Sequence, residues 1–528
     1  MTGPSIDNYD DDRARQRRLA LLIAGVFLAL RLPVMLHGYD INDEALWSTV
    51  TARWLDGGRL YVDAFERRPP LLFVAYAGVF EIAGRYNMFA LHVVGALWTL
   101  ATMAGLGVAA RRMFDARAGL AAAALYGIYA GWGDYNNLAW NGEVLLNLPL
   151  AWAIAIAFGP SRARLRPELA LAGALVAAAF LFKQPAASAA VALGGYLLLP
   201  SYRRARGLGL VDALAQAALF SAGFATVVGV AAWRVRASGA WDDAMFWVFH
   251  HHDMPHGPAD VIFWERLEVA GVWFILACLP LIVSAFAALS PRGRWVDWAR
   301  GSKEAERVAL WLLLAMAMLG VSASGRFYLH YFDLLLPALV IAASPVVAAL
   351  VAGAPPAGWP LPWPLRPRAM RGLLAGTALA FFALHAIGLA TRTKGSDAGR
   401  FVREQAAPGD ELFVWGELPR VYVESGLHPA TRYVGTYPLT GFPYGGSISY
   451  DPPVGDTTSR IVPGTWDIFE RELSASAPRF FVDVEAKLKQ PIYPLEKFPW
   501  LARYVAAHYR KVHEARDGVV YERVATGS

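Results

Sequence analysis

Long apolar runs recur from Leu19 to Ala390, separated by short polar and basic segments. Read for length and continuity, they predict eleven membrane spans, at about 19–36, 86–110, 118–133, 142–159, 168–182, 186–199, 211–233, 268–289, 308–323, 331–351 and 372–391. One apolar stretch, Pro70 to Gly84, is left over. As a helix its 15 residues rise only about 22 Å, and counting it as a crossing would put every later basic cluster on the opposite side. It is expected to be re-entrant or interfacial. With that assignment the clusters around Arg15–Arg18, Arg111–Arg117, Arg162–Arg166, Arg203–Arg206, Arg292–Arg307 and Arg366–Arg371 share one face, as the positive-inside rule requires. Residues 1–18 are then a cytoplasmic tail. The loops 37–69 and 234–267 lie outside, and so does everything after about residue 391.

The pattern changes at that point. Residues 392–528 have a soluble composition, with β-like runs at Glu411–Trp415, Arg432–Val434, Arg479–Val482 and Val519–Arg523 and helix-like stretches at Asp467–Ser474 and Trp500–His508. The expected architecture is an α-helical polytopic membrane protein, about eleven spans plus one short re-entrant or interfacial helix, followed by a small α/β domain on the outer side. Pro and Gly between 435 and 464 suggest a long irregular loop, suited to covering a site at the membrane face.

Composition agrees. Of 528 residues, 56% are hydrophobic and 17% charged, whereas a soluble chain carries about 25% charged residues. The net charge of +6 would raise the question of nucleic acid in a soluble protein; here the basic residues fall in loops and report topology, so membrane lipids are expected partners and nucleic acid is not. Cys278, the only cysteine, lies within an apolar run, which excludes an intrachain disulfide and a cysteine zinc cluster. No internal repeat is visible, which weighs against the inverted-repeat plan of many transporters.

Candidate chemistry gathers at the outer ends of the spans. Asp43 and Glu44 follow the first span and open a helix-like run. They are either a cap with a solvated acid or a general base beside apolar walls, where a carboxylate gains basicity. Arg67 and Arg68 precede Pro69-Pro70, where interfacial anchoring explains them equally well. Glu143 begins a span and is suited to the helix dipole. Lys183, at the outer end of its span, either snorkels or binds an anionic headgroup. Arg326, His330 and Tyr331 form a second cationic and aromatic turn on the same side. His250-His251-His252-Asp253 invites a metal reading, but adjacent histidines rarely converge on one ion, and His252 is more simply an acceptor-contacting loop residue or solvated surface. Together, acids and cations at one face suit a reaction with a lipid-phosphate leaving group and a nucleophile that must lose a proton.

At these residues the sequence resembles the GT-C type polytopic glycosyltransferases, specifically the glycosyltransferase family 39 group that contains protein O-mannosyltransferases and the aminoarabinose transferases of lipid A. The resemblance covers roughly residues 15–350. The Asp-Glu pair after the first span is Asp43-Glu44. The family's Lys-Pro-Pro is met by Arg68-Pro69-Pro70, with Arg in place of Lys. Glu143 matches the second acid and Lys183 the lysine that ends a later span, while Arg326, His330, Tyr331 and Pro337 correspond loosely to a later basic and aromatic turn. The segment Trp415–Tyr422 is similar to outer domains of such bacterial transferases.

The resemblance implies transfer of a sugar from a polyprenyl-phosphate donor to a lipid, glycan or protein hydroxyl at the outer face of a bacterial-type plasma membrane, with inversion. Asp43 is then the base, and Lys183, Arg326, Arg68 and His330 face the departing phosphate. Glu143 orients the acceptor or a cation, and Glu44, Tyr331 and His252 stand behind or beside the acceptor. The cations make a metal dispensable, although a divalent ion between Asp43 and Glu143 stays open. A flippase or transporter of lipid-linked sugars is the alternative, since it too would place charges in a membrane cavity.

Overall fold

The computed structural model describes residues 6–36, 42–133, 138–160, 163–250, 259–290, 303–353, 367–391, 395–441, 461–488 and 493–524, together with residues 296, 458 and 491. Its helices run α1 (Ile6–Leu36), α2 (Asn42–Leu55), α3 (Pro70–Ala83), α4 (Met88–Met113), α5 (Ala116–Tyr129), α6 (Gly142–Ala157), α7 (Glu168–Phe182), α8 (Ala187–Leu198), α9 (Pro200–Arg206), α10 (Leu210–Ala237), α11 (Trp241–Met245), α12 (Ala259–Ala277), α13 (Leu279–Leu289), α14 (Lys303–Ser322), α15 (Leu336–Val351) and α16 (Pro367–Thr391). A 3-10 stretch, Leu329–Leu335, leads directly into α15.

Local chemistry sets the helix starts. The side chains of Asn87, Asp115 and Asn141 accept from the backbone N–H of Ala90, Ala118 and Val144 and cap α4, α5 and α6. Pro70 starts α3, where a missing N–H costs nothing. Arg111 and Arg112 close α4, favourably placed for its dipole.

Among the described residues six helices, α1, α4, α10, α14, the Leu329–Val351 unit and α16, are long and apolar enough to cross a membrane. The span expected at 268–289 is not one straight helix: α12 and α13 meet at Cys278 with a bend of 80°. Pro280, just inside α13, lacks the N–H that would continue the ladder. Four other expected spans, α5 to α8, are helices of 12 to 16 residues, short of the roughly 20 that cross at full thickness. The tightest helix packing joins α7 to α10. A Cβ on Gly173 would lie 1.8 Å from Phe220 O, and one on Gly223 1.8 Å from Ala170 O, so the two backbones approach as only glycine permits.

The C-terminal domain, expected on the outer side, carries α17 (Asp397–Gln405), β1 (Glu411–Trp415), α18 (Arg420–Ser425), β2 (His428–Pro429), α19 (Tyr437–Thr440), α20 (Thr465–Ser476), β3 (Phe480–Asp483), α21 (Pro499–His508), β4 (Tyr509–Glu514) and β5 (Val519–Arg523). The sheet order is β2-β1-β3-β5-β4, parallel from β2 to β3 and antiparallel from β3 to β4. Arg432–Val434 is not a strand. Its apolar residues Tyr433 and Val434 are buried without joining the sheet, Arg432 is held by Glu472, and the edge pairing falls to His428–Pro429 instead. The strand β4 was not expected, because its Tyr-Arg-Lys-Val-His-Glu sequence is that of a largely solvated edge. Of the loop expected at 435–464, residues 442–457 and 459–460 lie outside the described residues; Tyr437–Thr440 form a helical turn.

This domain is clamped to the segments before α3 and after α11. Phe65 of the first loop and Trp247 of the second enter its aromatic core, where their rings stack 3.8 Å apart, with Tyr433 and Tyr437 edge-on to Phe65 at 5.5 and 6.4 Å. The helix α2 rests on the domain through His428 and Asp56 (3.2 Å) and through Arg53 and Glu411 (3.9 Å).

Candidate active site

Two turns and three helix ends build the site. The helix α2 presents Asp43, partly exposed, and Glu44, fully buried. Glu44 faces inward: one oxygen accepts from Trp140 N at 2.7 Å and the other lies 3.1 Å from His92 Nε2. It ties α2 to α4 and to the turn before α6, and so sets where Asp43 emerges.

The loop before α3 is tightly wound. Tyr61 is buried at a left-handed φ of 73°, a strained conformation for a bulky residue, and its hydroxyl donates to Arg68 O at 2.8 Å. Glu66 accepts from Arg68 N at 2.9 Å. The Arg68 guanidinium sits over the Trp47 ring at 5.5 Å. Burial works against its charge, but Glu66, Tyr331, Asp43 and Glu143 together outweigh burial and hold its pKa above the ordinary arginine value. Arg67 packs over Tyr437 of the outer domain at 5.1 Å and lies 3.8 Å from Glu66.

Glu143, in the first turn of α6, is buried and paired with Lys183, which ends α7. The Lys183 ammonium also lies 3.9 Å from the centre of the Tyr331 ring. A Cβ on Gly142 would come within 3.0 Å of the Lys183 stem, so the small residue leaves the path open for that side chain. His330 and Tyr331 occupy the 3-10 turn, their rings 4.9 Å apart, and Tyr328 stacks on His330 at 5.7 Å. His330 feels the charges of Lys183, Asp43 and Arg68. Arg326 is buried; burial, then the charge of Arg67, pushes its pKa down to about 10.

Asp43, Arg68, Glu143, Lys183, His330 and Tyr331, scattered over nearly 300 residues, therefore form one electrostatic cluster, which Arg326 joins through Arg67. His252 lies outside the described residues. Four contributors lie outside the expected site residues. Glu66 is masked in the sequence by the two arginines beside it, Gln184 by the lysine it follows, and Tyr437 and Glu417 by belonging to a different domain. Burial pushes the Glu417 carboxyl up to about 7, although its Oε1 accepts from Thr436 N at 2.9 Å.

The donor set does not fit a divalent ion between Asp43 and Glu143: the Lys183 ammonium stands against Glu143, and among the described residues no three His, Cys, Asp or Glu side chains converge. A separate apolar cavity of about 520 Å³ opens where α12 bends away from α14 and α15. Phe274, Trp311, Phe332 and Leu335 line it, and Phe332 is the neighbour of Tyr331.

The α/β domain is seated on the helical region, and the charged cluster lies where the two meet. Residues 67–233 match the family model of dolichyl-phosphate-mannose-protein mannosyltransferases. The fold aligns with ArnT from Cupriavidus metallidurans bound to undecaprenyl phosphate over 96% of this chain and 98% of that one, with 16% identity and a TM-score of 0.60. The same protein in its apo state aligns with a TM-score of 0.58 at 15% identity, over the same shares of both chains. An oligosaccharyltransferase from Archaeoglobus fulgidus, tethered with an acceptor peptide, gives a TM-score of 0.51 at 12% identity, covering 96% of this chain and 74% of that chain. No curated protein matches the chain by sequence.

Proposed function

We propose that the protein transfers a sugar from a polyprenyl-phosphate donor to an acceptor hydroxyl, with inversion, at the membrane face that carries the outer domain. The observation that supports this best is the convergence of Arg68, Lys183 and His330 on the neighbourhood of Asp43, with an apolar cavity beginning one residue beyond Tyr331. Asp43 accepts the acceptor's hydroxyl proton as its oxygen attacks the anomeric carbon. The bond from that carbon to the phosphate oxygen breaks, and the electron pair leaves with the polyprenyl phosphate. Arg68 and Lys183, with Arg326 behind Arg67, offset the charge that develops there. Glu143 holds Lys183 in place, and the isoprenoid chain lies in the cavity lined by Phe274 and Phe332.

The outer domain would face the extracytoplasmic side of a bacterial-type plasma membrane, opposite the basic loops. A flippase is less well supported, because the charges gather at helix ends under a folded domain and not at mid-membrane.

The test supplies purified protein with polyprenyl-phosphate sugars of several kinds and extracted membrane acceptors, and in parallel measures donor movement across proteoliposomes. Labelled product without movement supports the transferase. Movement without product would replace it with the flippase.

A further inference from the structure

Gln184 follows Lys183 directly, and its side-chain amide spends both N–H bonds on backbone carbonyls of the two outer loops. Nε2 donates to Arg67 O at 3.0 Å and to Val248 O at 2.9 Å. Each acceptor neighbours a residue with a marked role. Arg67 precedes Arg68, whose backbone is further held by Tyr61 and Glu66. Val248 follows Trp247, which stacks on Phe65 inside the outer-domain core and belongs to a π-helical turn, Phe246–His250, a form frequent at functional sites. One amide therefore joins the end of the lysine-bearing helix, the arginine-bearing loop and the loop that plugs the outer domain.

The geometry points to Gln184 as a positioning residue for the donor phosphate: by fixing the Arg67 and Val248 carbonyls together, it holds the Arg67-Arg68 pair at a set distance from Lys183 and couples that distance to the seating of the outer domain. Neither bond touches the phosphate, so the side chain acts through Arg68. Glutamine suits the position for a chemical reason. Both acceptors are carbonyls, so the side chain must supply two donors from one atom. A carboxylate of the same length supplies none and would face both carbonyl oxygens with negative charge. A thioether of similar length fills the space and donates nothing.

This assignment rests on the donor reading above, and the test separates the two. Binding of a fluorescent polyprenyl phosphate in detergent micelles is measured for wild type, Gln184→Met and Gln184→Glu, beside thermal melting of each and KM for the acceptor. The expected result is a dissociation constant raised about tenfold or more in Gln184→Met, and further in Gln184→Glu. Melting of Gln184→Met stays within about 3 °C of wild type, and acceptor KM is unchanged. Wild-type affinity in both variants would overturn the role of Gln184 and leave the donor reading intact. So would a uniform loss of melting temperature, donor affinity and acceptor KM, which marks a merely structural residue. A wild type that binds no polyprenyl phosphate would overturn the donor reading and the assignment with it.

Discussion

Lys183 sets its ammonium 3.9 Å from the centre of the Tyr331 ring while pairing with Glu143, so one side chain joins the ends of α6 and α7 and the 3-10 turn before α15. All three partners are at least partly buried, and Glu143 and Lys183 almost wholly so. Removing one member of a buried ion pair leaves the other uncompensated, which typically costs about 3–5 kcal/mol. Lys183→Met and Glu143→Gln are each expected to lose folded protein, and the double variant to recover much of it, because it leaves no orphan charge. Donor binding by the double variant stays weak. Size-exclusion recovery and polyprenyl-phosphate binding check both halves, and wild-type donor affinity in the double variant would remove Lys183 from the phosphate site.

Helix packing between α7 and α10 yields a second expectation. The Cβ of Gly173→Ala would stand 1.8 Å from a backbone oxygen, a separation no rotamer change relieves. The helix ending at Lys183 must shift, and the melting temperature falls by several degrees, with loss of transfer following. The same holds for Gly223→Ala. Unchanged melting in both variants would show that the two helices are not in this contact.

Glu417 supplies a pH dependence. Burial raises its folded pKa to about 7, above the ordinary 4.5. Between those values the unfolded chain has released a proton that the folded chain still holds, so stability falls as pH rises from about 4.5 to 7 and then levels off. Asp483, raised by burial to about 6, adds a smaller fall that ends sooner. Thermal melts across this window should show wild type weakening with pH and Glu417→Gln weakening less. Parallel curves for the two proteins would show that Glu417 ionises as it does in the unfolded chain.

Phe65 and Trp247 carry a fourth. Truncating either large aromatic in a packed core typically costs about 3–5 kcal/mol. The effect here should reach the site, because Arg67 lies two residues from Phe65 and Val248 next to Trp247. Trp247→Ala is expected to expose the outer domain to limited proteolysis and to weaken donor binding together. Proteolysis without any change in donor affinity would uncouple the domain from the site.

Most of the architecture was legible because membrane helices announce themselves by continuous hydrophobicity: the ends of α4, α6, α7 and α10 fall within a few residues of the runs read from sequence. The bend at Cys278 was not legible, since apolar residues continue on both sides of it and only Pro280 hints at a break. In the outer domain β1 and β5 alternate or bury plainly, whereas β4 reads as a polar segment because one side faces solvent. At the site, charged residues in or beside apolar runs stand out, so Asp43, Arg68, Glu143, Lys183 and Arg326 were visible singly. Glu44 was read beside Asp43, but its inward turn toward His92 and Trp140 depends on contacts 48 and 96 residues away. Gln184 is an unremarkable polar residue until its two acceptors are known.

The proposed transfer turns on Asp43 taking the acceptor's proton. The most direct measurement is single-turnover transfer of labelled sugar from a polyprenyl-phosphate donor by wild type, Asp43→Asn and Asp43→Glu, with donor binding measured on the same preparations. Loss of at least about a hundredfold in rate for Asp43→Asn, with donor affinity near wild type and partial activity in Asp43→Glu, is the expected result. Transfer by Asp43→Asn at the wild-type rate would exclude Asp43 as the base and leave that role to another carboxylate of the cluster.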